Sequence, residues 1–139
     1  MPIKYTKGYK YQLSETYKVQ VAIYPNRWLV TDYVTLSPEG WLTLRKGYAS
    51  DGASGPAIDT KTIMRGAFCH DGLYQIMREV DLSGCGISPD EFRKQADYTL
   101  FTMCKEDGMN WVRAEWVYLA VRTFAKRASI SNQDILVAP

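Results

Sequence analysis

The chain has a single histidine, His70, and only three cysteines, Cys69, Cys85 and Cys104. No two cysteines form a CxxC pair. With one histidine they match no zinc-finger or zinc-ribbon spacing, so no zinc site is expected. No apolar run approaches the roughly 20 residues that span a bilayer. The first residues, MPIKYTKGYK, lack the apolar stretch of a signal peptide. An odd cysteine count without an export signal predicts reduced thiols and a cytoplasmic setting. Charge of either sign is not in excess: 17 basic residues face 15 acidic ones, a net of +2. That balance gives no electrostatic case for nucleic acid or for an anionic membrane. Internal repeats and low-complexity segments are absent too.

What the chain does have is enough length and apolar content for one core. It runs to 139 residues with 46% hydrophobic residues, which predicts one domain over 1–139. The pattern divides it into a β-rich part with a loop over about 1–60, a helical part over about 61–128, and a tail over 129–139. In the first part Tyr9, Tyr11 and Leu13 alternate with polar residues, as do Tyr17, Val19 and Val21. This is the two-residue period of half-buried strands. Pro25-Asn26 and Ser37-Pro38-Glu39-Gly40 are turn signals, with the β-rich runs RWLVTDYVTL and WLTLRKGY around them. Together they predict an antiparallel meander of short strands.

Helical spacing takes over in KTIMRGAFCHDGLYQIMREV, with Thr60 or Thr62 as cap and Ser83 to Gly86 as terminator. SPDE at 88–91 is a capping box with proline at the first helical position. Ser88 can accept from the Glu91 amide while Glu91 reaches back, and the helix is predicted to run to about Glu106, with Gly108 near its end. Asn110 can cap a third helix. There Ala114, Val117, Tyr118 and Val121 form one apolar stripe and Trp116, Ala120 and Phe124 a second, which predicts a helix wrapped on more than one side. The fold class predicted is α+β: an N-terminal antiparallel meander packed on a C-terminal three-helix unit.

Polar residues gather in three places. The segment GYASDGASGPAID, 47–59, has three glycines, small residues and two acids. It reads either as a plain crossover from sheet to helix or as a loop presenting carbonyls or Asp51 beside His70. No GK[ST] follows it, so it is not a phosphate-binding loop. His70 and Tyr74 stand four residues apart on one helix face, and Asp71 points about 100° away. Asp97 follows the apolar-face residue Ala96 and lies at the margin of the stripe Phe92, Ala96, Thr99 and Met103. A carboxylate there needs a partner. Arg93, one turn earlier, would make a surface pair. The His70 imidazole would serve if the two helices pack, and the carboxylate would then fix the tautomer and leave the other ring nitrogen as a base.

Gly47-Tyr48 with Ser50 to Pro56, then His70 to Tyr74, then Arg93 with Ala96-Asp97, occur in the order of a known family. Over roughly residues 28–125 the chain resembles the phage-associated family catalogued as domain of unknown function 1353. That resemblance implies a phage or prophage origin without a settled activity. The loop and two helices also resemble those of phospholipase A₂. This second likeness implies His70 as the base that activates water, Asp97 as the group that orients it, and Tyr74 as support for Asp97. It implies Asp71 as a calcium ligand, with Asp51, Gly52, Ser54 and Gly55 lying in the loop that completes the shell.

Two function classes follow. One is a phage hydrolase with a His–Asp site, acting on lipid or on cell wall. The other is a non-enzymatic virion or tail component, or a factor binding a host protein, with the polar network structural. In the second, Tyr5, Tyr9, Tyr11 and Tyr17 could form the interaction surface. The expected setting is the host cytoplasm or the virion.

Overall fold

Alternation in the first fifty residues produces strands that each bury one side. A computed structural model of the chain describes residues 3–6, 11–50 and 61–124. It contains seven short strands: β1 (Tyr5–Thr6), β2 (Tyr11–Leu13), β3 (Tyr17–Gln20), β4 (Leu29–Val30), β5 (Val34–Leu36), β6 (Trp41–Leu44) and β7 (Ala49–Ser50). All pairings are antiparallel. They form two sheets, ordered β1-β2-β7 and β3-β6-β5-β4. Strands β4, β5 and β6 are a meander, and β3 returns beside β6 in the manner of a Greek key.

The register explains which residues face inward. Leu29 pairs with Leu36, and Leu36 with Leu42. Val34 pairs with Leu44, which pairs with Tyr17. All of these are buried, while Lys18, Gln20, Val30 and Trp41 face out. At the 37–40 turn the Gly40 amide donates to the Ser37 carbonyl. Gly40 has φ +86°, and a Cβ there would stand 2.5 Å from the Val21 carbonyl oxygen. Both conditions require glycine.

Helix α1 (Lys61–Glu79) lies between the four-stranded sheet and helix α2 (Pro89–Glu106); helix α3 (Trp111–Phe124) packs on α2. The position of α1 explains why Ile63 through His70 are all buried, followed by Gly72, Leu73, Tyr74, Ile76 and Met77. A helix covered on several sides is central to its fold. Phe68, Leu73 and Ile76 are fully enclosed, and each such burial contributes about 1.5–3 kcal/mol. Thr62 lies inside the first turn, and Thr60 lies outside the described residues.

Ser88 caps α2 by accepting from the Glu91 amide at 3.1 Å. Glu91 does not complete the expected reciprocal box; its carboxylate accepts from Gln95 Nε2 one turn on. Asn110 caps α3 through the Val112 amide. A second apolar cluster of Ile63, Leu100, Cys104, Met109, Ala114 and Val117 seals α3 to α2. Of the two stripes expected on α3, the one through Ala114 and Val117 is covered, whereas in the other Trp116 is exposed, because among the described residues α3 packs on the body through the opposite side.

The backbones of α1 and α2 approach closely where glycine stands. A Cβ on Gly66 would meet Leu100 Cδ1 at 2.8 Å and the Leu100 carbonyl at 3.3 Å. Gly66→Val is expected to wedge the two helices apart and lower stability by about 1–3 kcal/mol, read from urea unfolding.

Candidate functional site

Helix α1 carries polar groups in two directions. His70 and Tyr74 point at α2, and Asp71 points at the sheet. The His70 and Tyr74 rings lie against each other with centroids 4.2 Å apart. Both reach one oxygen: His70 Nε2 stands 2.6 Å from Asp97 Oδ1, and the Tyr74 hydroxyl donates to that oxygen at 2.6 Å. The other carboxylate oxygen, Oδ2, accepts from Arg122 Nη1 of α3 at 2.9 Å. Arg93 Nη2 lies 3.9 Å from Oδ2, but its hydrogen bonds go to the carbonyls of Val121 and Arg122 in the last turn of α3. The guanidinium thus ties α2 to the backbone of α3.

Asp97 does not sit at a stripe margin. It is fully buried, between the α2 face that meets α1 and the face that meets α3. The surface pairing of Asp97 with Arg93 is therefore replaced by a buried cluster in which Arg93 is itself buried and only Arg122 keeps partial exposure. Burial alone would raise the Asp97 pKa. Hydrogen bonds from His70, Tyr74 and Arg122 outweigh it and hold the carboxyl below its ordinary value. The Tyr74 hydroxyl is pushed the other way, first by burial and then by the bond to the Asp97 charge.

An ionised Asp97 requires a proton on His70 Nε2, which leaves the Nδ1 lone pair in a neutral ring. No described residue bonds Nδ1. The imidazole side chain is 8% exposed. Among the described residues the one side-chain nitrogen or oxygen sealed from solvent without a hydrogen bond is Arg93 Nε. The arrangement provides an oriented imidazole with one nitrogen free to take a proton.

Asp71 stands apart from this cluster. Its Oδ2 accepts a hydrogen bond from the Ser50 hydroxyl at the end of β7. Its charge, after burial, helps to push the Tyr48 hydroxyl pKa up. Asp51, Gly52, Ser54 and Gly55 lie outside the described residues. Among the described residues no three His, Cys, Asp or Glu side chains gather as a metal site. Calcium takes six to eight oxygens; of the residues expected to hold it, Asp71 is described, and the loop positions that would complete the shell lie outside the described residues.

The cysteines are all reduced and buried. Burial pushes the thiols of Cys69 and Cys104 up to about 12, which removes them as nucleophiles at neutral pH. Two further groups belong to the polar framework. Arg65 is buried and binds Asp107, Glu106 and the Tyr17 hydroxyl. Arg122 was not distinguishable as a site residue from the spacing of α3. Its one signal was a cation one position past the buried stripe. Among the described residues no helix is long and apolar enough to cross a membrane. Comparison with protein-family models, with curated proteins and with solved structures gives no significant match.

The depressed Asp97 pKa has a definite sign. A carboxyl held below its ordinary 3.8 when folded stabilises the fold above that pH, and the contribution is lost as pH falls through the folded value. Asp97→Asn is expected to cost about 3–5 kcal/mol at neutral pH, since it strands buried guanidinium charge. In urea titrations the gap from wild type should then narrow below about pH 4.

Proposed function

We propose that this chain is a phage or prophage protein with a hydrolytic His–Asp site that cleaves carboxylic esters of lipids. The observation that supports this reading best is the 2.6 Å contact of His70 Nε2 with a fully buried Asp97, with Nδ1 bonded by no described residue. In this reading Nδ1 takes a proton from water as the water oxygen attacks the ester carbonyl carbon. The tetrahedral intermediate then expels the alcohol, and the Nδ1 proton passes to the leaving oxygen. Asp97 stays ionised throughout and stabilises the imidazolium that forms. Tyr74 and Arg122 hold Asp97 in place and touch no reacting atom. The order of the GY-x-SDGAS, HD-x-LY and R-x-x-AD segments supports the phage assignment by resemblance.

A second reading rests on a different observation. Asp97 gathers donors from α1 and α3 at zero exposure, which is how a polar knot fixes helix packing. Here the chain is a virion or tail component, or a host-protein-binding factor, without activity.

The two diverge on one variant. Purified protein is offered phospholipid vesicles and, separately, peptidoglycan sacculi, with fatty acid or soluble fragments measured. His70→Gln is expected to lower ester cleavage roughly 10²- to 10⁴-fold while leaving the fold intact by circular dichroism. Fatty-acid release equal in wild type and His70→Gln, or no product from either vesicles or sacculi, would sink the hydrolase. Release of soluble sacculus fragments alone would move the substrate to the cell wall. Because His70 is the only histidine, its ¹⁵N resonances are unambiguous, and they should report the Nε2–H tautomer.

A further inference from the structure

The side of α3 turned away from α2 is apolar. Trp111 is 65% exposed, Val112 58%, Trp116 46% and Leu119 56%. Val112, Trp116 and Leu119 recur at i, i+4 and i+7, so they form one stripe, roughly opposite the covered residues Ala114 and Val117. A solvated helix face would carry charges at these positions. These four residues leave on the order of 500 Å² open, near the top of the roughly 300–600 Å² patch that a monomer ordinarily shows.

We infer that this face is a self-association surface on which two copies of the chain pack α3 against α3, antiparallel, about a twofold axis crossing the helix near residue 118. Two features select a second copy. The first is area. Facing these four residues with their copies removes up to about 1,000 Å² in total, the size of a small, weak interface. The second is charge. Glu115 and Arg122 lie seven residues apart, two turns along the same flank of the stripe. Antiparallel reversal sets Glu115 against the partner's Arg122, and Arg122 against the partner's Glu115. In the same antiparallel register Trp116 meets the partner's Leu119. Arg122 retains 30% side-chain exposure beyond its bond to Asp97, so it can face the partner without leaving the cluster.

Sedimentation velocity of the full chain across micromolar concentrations should show a monomer–dimer equilibrium. Glu115→Arg should weaken it about tenfold or more, since it places cation against cation. The native thiols are buried, so introduced cysteines report the geometry under mild oxidation. Leu119→Cys lies next to the axis and should form an intermolecular disulfide. Trp111→Cys should not, because the two copies of position 111 stand about 20 Å apart along the helices, well beyond disulfide reach. A monomer at every concentration, an unchanged equilibrium in Glu115→Arg, or equal cross-linking at positions 111 and 119 would each overturn the proposal. The first of these would leave the face to another protein or to the chain's own C-terminal residues.

Discussion

A carboxylate with no exposure to water cannot stay charged alone, and much of the helical half of this protein is arranged around that fact. Asp97 is stable only because α1 brings an imidazole and a phenol, and α3 brings a guanidinium. Each of these partners comes from another helix. The charge thus fixes the rotation of α1 about its axis and the position of α3 along α2. Arg93 adds a return tie, from α2 to the Val121 and Arg122 carbonyls of α3. The small side chain at Gly66 complements this by letting α1 and α2 come close.

The same constraint bears on chemistry. An imidazole fixed by a buried acid is pre-oriented, since neither the ring nor its tautomer must be chosen when a substrate arrives. It is also the arrangement that a purely structural knot would use. What separates the two is the second nitrogen of the ring, which no described residue bonds and which the structural reading leaves without a task. The polar face toward β7 serves a different end. Ser50 ties Asp71 to the sheet, so α1 is anchored by charge on both of its flanks.

Period and turn chemistry made the α+β class legible in the sequence. The Ser88 cap, the Asn110 cap and the Gly40 turn were all readable, because each depends on residues within four positions. The separation of the strands into two sheets was not, since the pairing of β3 with β6 depends on contacts more than twenty residues apart. For the same reason the His70–Asp97 meeting was only one of two pairings the chain allowed. Spacing puts His70 and Tyr74 on one face but does not say which helix that face meets. Arg122 was barely legible, because its place beside the buried stripe does not distinguish a cation that reaches a buried acid from one that reaches water. The second stripe of α3 misled in the opposite sense: apolar periodicity tells which residues avoid water without telling what covers them.

Three thiols sealed inside the body give the protein a set of internal clocks. Cys69 adjoins His70 in the central helix, Cys104 lies in the seam between α2 and α3, and Cys85 sits in the link before α2, its sulfur near the Ile87 carbonyl. None can meet a reagent in water until its own part of the structure opens. The pace at which each is alkylated therefore times a separate local breathing motion, and a seam that loosens ahead of the central helix would show as Cys104 reacting first.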